Sequence, residues 1–186
     1  MIILGSSSPR RKDLLSKITT DFKIINPTFD ERTINIKSTH YALEEAYHKA
    51  LSLLDEISKE DCLICVDTIV VLDNKIYGKP VDKEDAKRIL LELSNKTHKV
   101  ITGYIILKDE EVITNEVTSL VTFNKLDQAT IDNYIESIDV LDKAGAYSYQ
   151  DDAKFHLIKE ISGSYSNIMG FPVEEIESEL KYLDLI

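Results

Sequence analysis

The run Cys62-Leu-Ile-Cys-Val-Asp-Thr-Ile-Val-Val-Leu72 limits what this chain can fold into more than any other stretch. Apart from Asp67 and Thr68 every residue in it is apolar, and β-branched types dominate. The run is too short to cross a bilayer and is stopped by Asp73-Asn74, so it reads as a strand buried on both faces. A carboxylate in the middle of such a strand is costly unless something compensates it. Two readings of Asp67 therefore stand side by side. It is a buried acid capping nearby backbone amides, or a carboxylate that binds a metal or takes a proton.

The 186 residues are enough for one sizeable core, and a single domain over residues 1–186 is expected. The N-terminus places its basic residues after its apolar ones, the reverse of a signal peptide, and no run is long enough for a membrane helix. A cytoplasmic protein without membrane attachment is the expectation. Cys62 and Cys65 form a C-x-x-C, but inside a strand residues three apart point to opposite faces, so they read as buried structural thiols. His40, His48, His98 and His156 lack the spacing of a zinc site.

A net charge of −11 opposes general affinity for nucleic acid, which depends on phosphate neutralisation by Lys and Arg. Yet Arg10-Arg11-Lys12 is a basic cluster, with no acid before it. Positive charge concentrated on an acidic protein suits a small anion better than a polymer, although most charge clusters are solvated helix surface. The local pattern favours the anion. Ile2-Ile3-Leu4 reads as a short strand, and Pro9 fits the first position of a helix with Ser8 as N-cap and Leu14, Leu15 and Ile18 on its apolar face. Ser6-Ser7-Ser8-Pro9-Arg10-Arg11 is then a strand-to-helix turn. Arginines in a first helical turn oppose the helix dipole unless an anion offsets them.

Phe22 to Asn26 reads as a second strand, followed by a loop with Asp30-Glu31. Ser38 is expected to cap a long helix running to about Ile57, with Lys49 in its middle beside small alanines. Asp73-Asn74 turns into Lys75-Ile76-Tyr77, and Gly78-Lys79-Pro80 follows as a loop. Asp82 caps the next helix with Asp85 at the capping-box position. Thr97 to Leu107 and Val112 to Phe123 read as an antiparallel hairpin. Asp127 starts a helix to about Ser137, and residues 141–150 form a loop with room for a ligand. A strand is expected around Phe155 to Ile161, then a closing helix with Val173, Ile176, Leu180 and Leu183 inward. Helices and strands interleave, so the class is α/β with a mixed central sheet flanked by helices.

Seven segments in order resemble the Maf family of nucleotide pyrophosphatases. They are Ser6 to Arg11, Asp30-Glu31, Lys49-Ala50, Val66 to Val70, Gly78-Lys79-Pro80, Asp142 to Tyr147 with Gln150, and Gly163-Ser164-Tyr165 with Gly170 to Val173. The resemblance implies a Maf/Ham1-like fold of two lobes around a cleft. It also implies hydrolysis of a nucleoside triphosphate to the monophosphate and pyrophosphate, with a divalent metal, magnesium or alternatively manganese. The implied catalytic residues are Asp67 and Lys79, with Asp67 and Glu31 at the metal. Substrate contacts fall on Ser6, Ser8, Arg10, Arg11, Lys49, Thr68 and Gln150.

The set Arg10, Thr68 and Gln150 resembles the subfamily acting on dTTP and UTP rather than the one acting on 7-methyl-GTP. The chemistry agrees, because a glutamine amide both donates and accepts, matching the N3–H and carbonyl of thymine or uracil. Departures are Ser7, where the pyrimidine type often has glycine, and Asp151-Asp152 after Gln150. The alternatives are the 7-methyl-GTP type and a non-catalytic nucleotide-binding regulator linked to cell division. The expected partner is a small nucleotide, and a homodimer is compatible with the resemblance.

Overall fold

A computed structural model of the protein describes residues 1–29 and 40–186. The elements are β1 (Ile2–Gly5), α1 (Pro9–Leu15), β2 (Phe22–Ile25), α2 (Tyr41–Leu51), β3 (Cys62–Leu72), β4 (Lys75–Tyr77) and α3 (Lys83–Leu93). They continue with β5 (Thr97–Lys108), β6 (Glu111–Phe123), α4 (Gln128–Ser137), α5 (Asp152–Phe155), β7 (Ile158–Ser162), α6 (Tyr165–Ile168) and α7 (Val173–Tyr182). The strands form one mixed sheet in the order β2-β1-β3-β5-β6-β7, with β4 paired to β3. The expected α/β class with a mixed sheet is what the chain adopts.

Contacts divide the chain into two compact units. The first comprises Met1–Thr68, Thr102–Val117 and Gly170–Ile186, and the second Ile69–Ile101 and Thr118–Met169. In the first, β1 pairs in parallel with both β2 and β3, and Gly5 sits opposite Ile25 and Cys65. That register brings Ser6, just past the end of β1, level with the stretch of β3 that holds Asp67. The carboxyl ends of parallel strands are where open α/β sheets bind ligands. Ile3, Ala46, Ala50, Leu53, Leu63, Cys65 and Ile105 form the core beneath.

The long apolar run is a strand, as its composition predicts, and both cysteines are fully buried and unpaired by disulfide. Burial pushes the Cys62 thiol up to about 11 and the Cys65 thiol to about 12, so neither is reactive near neutral pH. Helix α2 is shorter than its apolar pattern suggests. It ends at Leu51, and Leu53 is buried from the turn that follows, ahead of a 3-10 turn at Leu54–Glu56. The expected cap Ser38 lies outside the described residues, and His40 stands at the N-cap position without a side-chain capping bond.

In the second unit the hairpin of β3 and β4 turns on Asp73 and Asn74, both left-handed (φ 50° and 63°), as a tight two-residue turn requires. Asp82 and Asp127 cap α3 and α4 as expected, accepting from Asp85 N–H and Thr130 N–H at 2.8 Å each. Strand β7 begins later than its apolar residues suggest. Asp152–Phe155 is a helical turn, His156 takes a left-handed conformation, and Asp152 Oδ1 accepts from the Ile158 N–H that opens the strand. The core here gathers Val70, Leu90, Val121, Phe123, Ile131, Tyr134, Phe155 and Leu157.

An imidazole is buried against that core. His98 is 1% exposed, its ring edge-on to Phe123 and Tyr147. Burial pulls its pKa down from 6.5 to about 4. Because the unfolded chain takes up a proton first, stability falls as pH drops through that window and the loss is complete below it. The shift is worth about 3 kcal/mol. Urea unfolding followed between neutral and acid pH is expected to show that loss in the wild type and a shallower one in His98→Gln; equal slopes would contradict the buried neutral imidazole.

Candidate active site

Asp67 lies on β3 and is 5% exposed, with Glu45 at 5% and Lys49 at 6%. Glu45 and Lys49 are four residues apart on α2, so they share one helix face with Ala42, Ala46 and Ala50. The alanines keep that face low, which gives the two long side chains room to extend to the strand. Lys49 Nζ donates to Asp67 Oδ1, and Arg11 Nη2 stands 4.0 Å from the same oxygen. Glu45 is hydrogen-bonded to Asp67 as well.

Burial alone would push the Asp67 carboxyl up. The Lys49 ammonium, the Glu45 hydrogen bond and the Arg11 guanidinium together outweigh it and hold the carboxyl below the usual range. The two carboxyl groups thus lie side by side against the cations, an arrangement that a shared proton or a shared divalent cation would stabilise.

Arg11 is fixed from three further sides. Its Nε–H donates to the Gly170 carbonyl at 2.9 Å, Nη2 to Thr68 Oγ1 at 3.4 Å and Nη1 to Ser6 Oγ at 3.5 Å. Thr68 Oγ1 also pairs with Thr102 Oγ1 at 3.0 Å. Gly170 has φ +92°, and a Cβ there would stand 3.2 Å from Thr68 Oγ1, so a side chain would crowd the arginine's anchor. The guanidinium is thus oriented by its chain before any anion arrives.

Of the expected site residues, Ser6, Arg11, Lys49, Asp67 and Thr68 are brought together in the first unit. Arg10 is half-buried beside Arg11 on α1. Ser8 holds the N-cap position, but its hydroxyl makes no capping bond, and its N–H donates to Ser6 Oγ at 3.2 Å. Lys79 and Gln150 belong to the second unit, both exposed, on the turn after β4 and on a 3-10 turn at Tyr149–Asp151. Glu31 lies outside the described residues.

Glu45 is the residue that reading the sequence missed. A mid-helix glutamate ordinarily reads as solvated surface, and its signal was the alanine-lined face it shares with Lys49. Thr102, holding Thr68 from β5, had no signal beyond its place in a hairpin strand.

Among the described residues no group of three or more His, Cys, Asp or Glu side chains is placed to hold a metal. The carboxyl donors at this site are Asp67 and Glu45. Magnesium keeps several waters and shares phosphate oxygens, so it needs only one or two protein carboxylates, and this donor set fits it.

A family model described as Maf-like protein matches residues 1–183. The chain belongs to the Maf family. A Maf relative from Clostridium botulinum (strain Kyoto / Type A2), named dTTP/UTP pyrophosphatase, is 40% identical over 96% of this chain and 95% of its own length. Another of the same name, from Chlamydia felis (strain Fe/C-56), is 34% identical over 99% of this chain and 94% of its own. A solved HAM1 protein from Coxiella burnetii aligns with 97% of this chain and 98% of its own at a TM-score of 0.49 and 13% identity.

The buried pair yields a stability test. Lys49→Met leaves the Asp67 carboxylate without its nearest cation, and Asp67→Asn strands the ammonium, each expected to cost about 3–5 kcal/mol. The double variant is expected to regain part of that loss in urea denaturation. A double variant that loses the sum of the two single costs would contradict the pairing.

Proposed function

We propose that this chain hydrolyses dTTP and UTP between the α and β phosphorus atoms, releasing the nucleoside monophosphate and pyrophosphate. The observation that carries the reading is the buried, ionised Asp67 flanked by Lys49 and Arg11. Catalysis at a triphosphate is chiefly positioning and charge stabilisation, and a preorganised cluster of cations around one carboxylate suits both.

In this reading Arg10, Arg11 and Lys49 take the phosphate oxygens, with the Ser6 and Ser8 hydroxyls beside them, and Lys79 supports the leaving pyrophosphate. A water oxygen bonds to the α phosphorus, the bond from that phosphorus to the bridging oxygen breaks, the pair of electrons leaves with pyrophosphate, and the water's proton passes to solvent. Cations that hold the Asp67 carboxyl low also make it a weak proton acceptor near neutral pH. That favours Asp67 as anchor for a divalent cation over Asp67 as general base. Bound magnesium or manganese would supply charge neutralisation and a more acidic water. Glu45, hydrogen-bonded to Asp67, would share the ion, and Glu31 was expected beside it.

Gln150 is the proposed base reader. Its amide can accept from the N3–H of uracil or thymine and donate to a ring carbonyl. Among the described residues no helix is long and apolar enough to cross a membrane. The reading includes a cytoplasmic setting and, given a net charge of −11, no nucleic-acid partner.

Pyrophosphate release from dTTP, UTP, CTP, GTP, ATP and 7-methyl-GTP with magnesium tests the proposal. Turnover of dTTP and UTP is expected, falling by at least about a hundredfold in Asp67→Asn and stopped by a chelator. Preference for 7-methyl-GTP would overturn the reading of Arg10, Thr68 and Gln150, and binding without turnover would indicate a regulator.

A further inference from the structure

The connection from Lys143 to Asp151 is held in an expensive shape. Gly145 and Ala146 are consecutive left-handed residues, φ +68° and +61°, and the second is not glycine. A Cβ at Gly145 would stand 2.7 Å from Val70 Cγ2, so the backbone passes β3 where a side chain has no room. A backbone like this persists only when its surroundings over-determine it.

Four polar anchors do so, all within the second unit. Gly145 N–H donates to the Gly78 carbonyl at 3.0 Å, which ties the connection to the residue preceding Lys79. Lys143 Nζ donates to the Asp139 carbonyl and to Asp142 Oδ1. Ser148 N–H donates to the Tyr134 hydroxyl at 3.0 Å. Between these, the Tyr147 hydroxyl pairs with His98 Nε2 at 2.8 Å.

The last anchor differs from the others. Tyr147 and His98 are both buried, and His98 Nδ1 has no hydrogen-bond partner among the described residues. A neutral imidazole carries one N–H, so whichever tautomer serves Tyr147, the second nitrogen is left unsatisfied in an apolar core. A phenylalanine pair would fill this space without that cost. The polar pair therefore has a use other than stability. The hydroxyl of Tyr147 is the one polar group by which its ring can be fixed in depth as well as packed, and Tyr147 precedes Gln150 by three residues.

We propose that the His98–Tyr147 hydrogen bond is a specificity-positioning device: it sets the height of the connection that presents Gln150 to the pyrimidine edge. The proposal rests on the reading of Gln150 as base reader. Neither His98 nor Tyr147 touches the nucleotide. Both act through the backbone from Tyr147 to Gln150. An amide held in one orientation matches the N3–H and carbonyl of uracil, whereas turned over it matches the acceptor and amino group of cytosine. A connection that no longer fixes the amide loses the preference for uracil.

The test is the ratio of kcat/KM for UTP to that for CTP, in the wild type, Tyr147→Phe, His98→Leu and Gln150→Ala. Tyr147→Phe and His98→Leu remove the same bond from opposite ends, and circular dichroism shows which of them is folded. Each is expected to lower the ratio about three- to tenfold, the scale of one neutral hydrogen bond, and the double variant to lower it no further. A merely structural role would slow both substrates alike and leave the ratio unmoved, which would overturn the proposal. An unmoved ratio in Gln150→Ala would instead overturn the reading of Gln150. A lowered ratio there, with none in the folded Tyr147 or His98 variant, would overturn the positioning role alone.

Discussion

A carboxylate buried in the sheet needs charge brought to it, and much of the first unit is arranged to bring it. Asp67 occupies β3 because the strand's apolar residues bury it there. Its cost is met by Lys49 from α2 and by Arg11 from α1, with Glu45 hydrogen-bonded beside it. Two helices are thereby committed to one oxygen atom. The alanine face of α2 follows from the same need, since larger side chains would hold the helix too far off for a lysine and a glutamate to lie flat against the strand.

Arg11 carries the constraint further along the chain. Its contacts reach Ser6 at the end of β1, Thr68 beside Asp67 and the Gly170 carbonyl just before α7. Segments distant in sequence meet around one guanidinium, and Thr102 steadies the threonine it meets. Arginine suits this place because its planar fork offers donors in several fixed directions while the charge stays delocalised. Such a cation, oriented in advance, loses little freedom when a phosphate binds.

Much of this was legible in the sequence wherever local chemistry decides the outcome. The central strand followed from its β-branched run, the caps of α3 and α4 from Asp82 and Asp127, and the β3–β4 turn from Asp73-Asn74. Boundaries failed where apolar residues recur without marking the element. Leu51 and Leu54 continue the helical spacing yet are 43% and 46% exposed, so the pattern runs past the end of α2 at Leu51, and Phe155 is buried from a helical turn rather than from the last strand. Ser8 was expected to cap α1 by its side chain, yet the bond is made by its N–H to Ser6. Glu45 was overlooked because its burial depends on Asp67 and Lys49 lying against it, and the alanine face it shares with Lys49 is the one local trace of that meeting.

The most direct measurement is a double-mutant cycle on UTP hydrolysis, using Asp67→Asn, Lys49→Met and the two combined. If Asp67 and Lys49 act as one reaction centre, the combined variant retains about the activity of the slower single variant, since removing one partner already disables the other. Losses that multiply across the two positions would mean that Asp67 and Lys49 act independently, and would contradict the buried pair as the centre of the reaction.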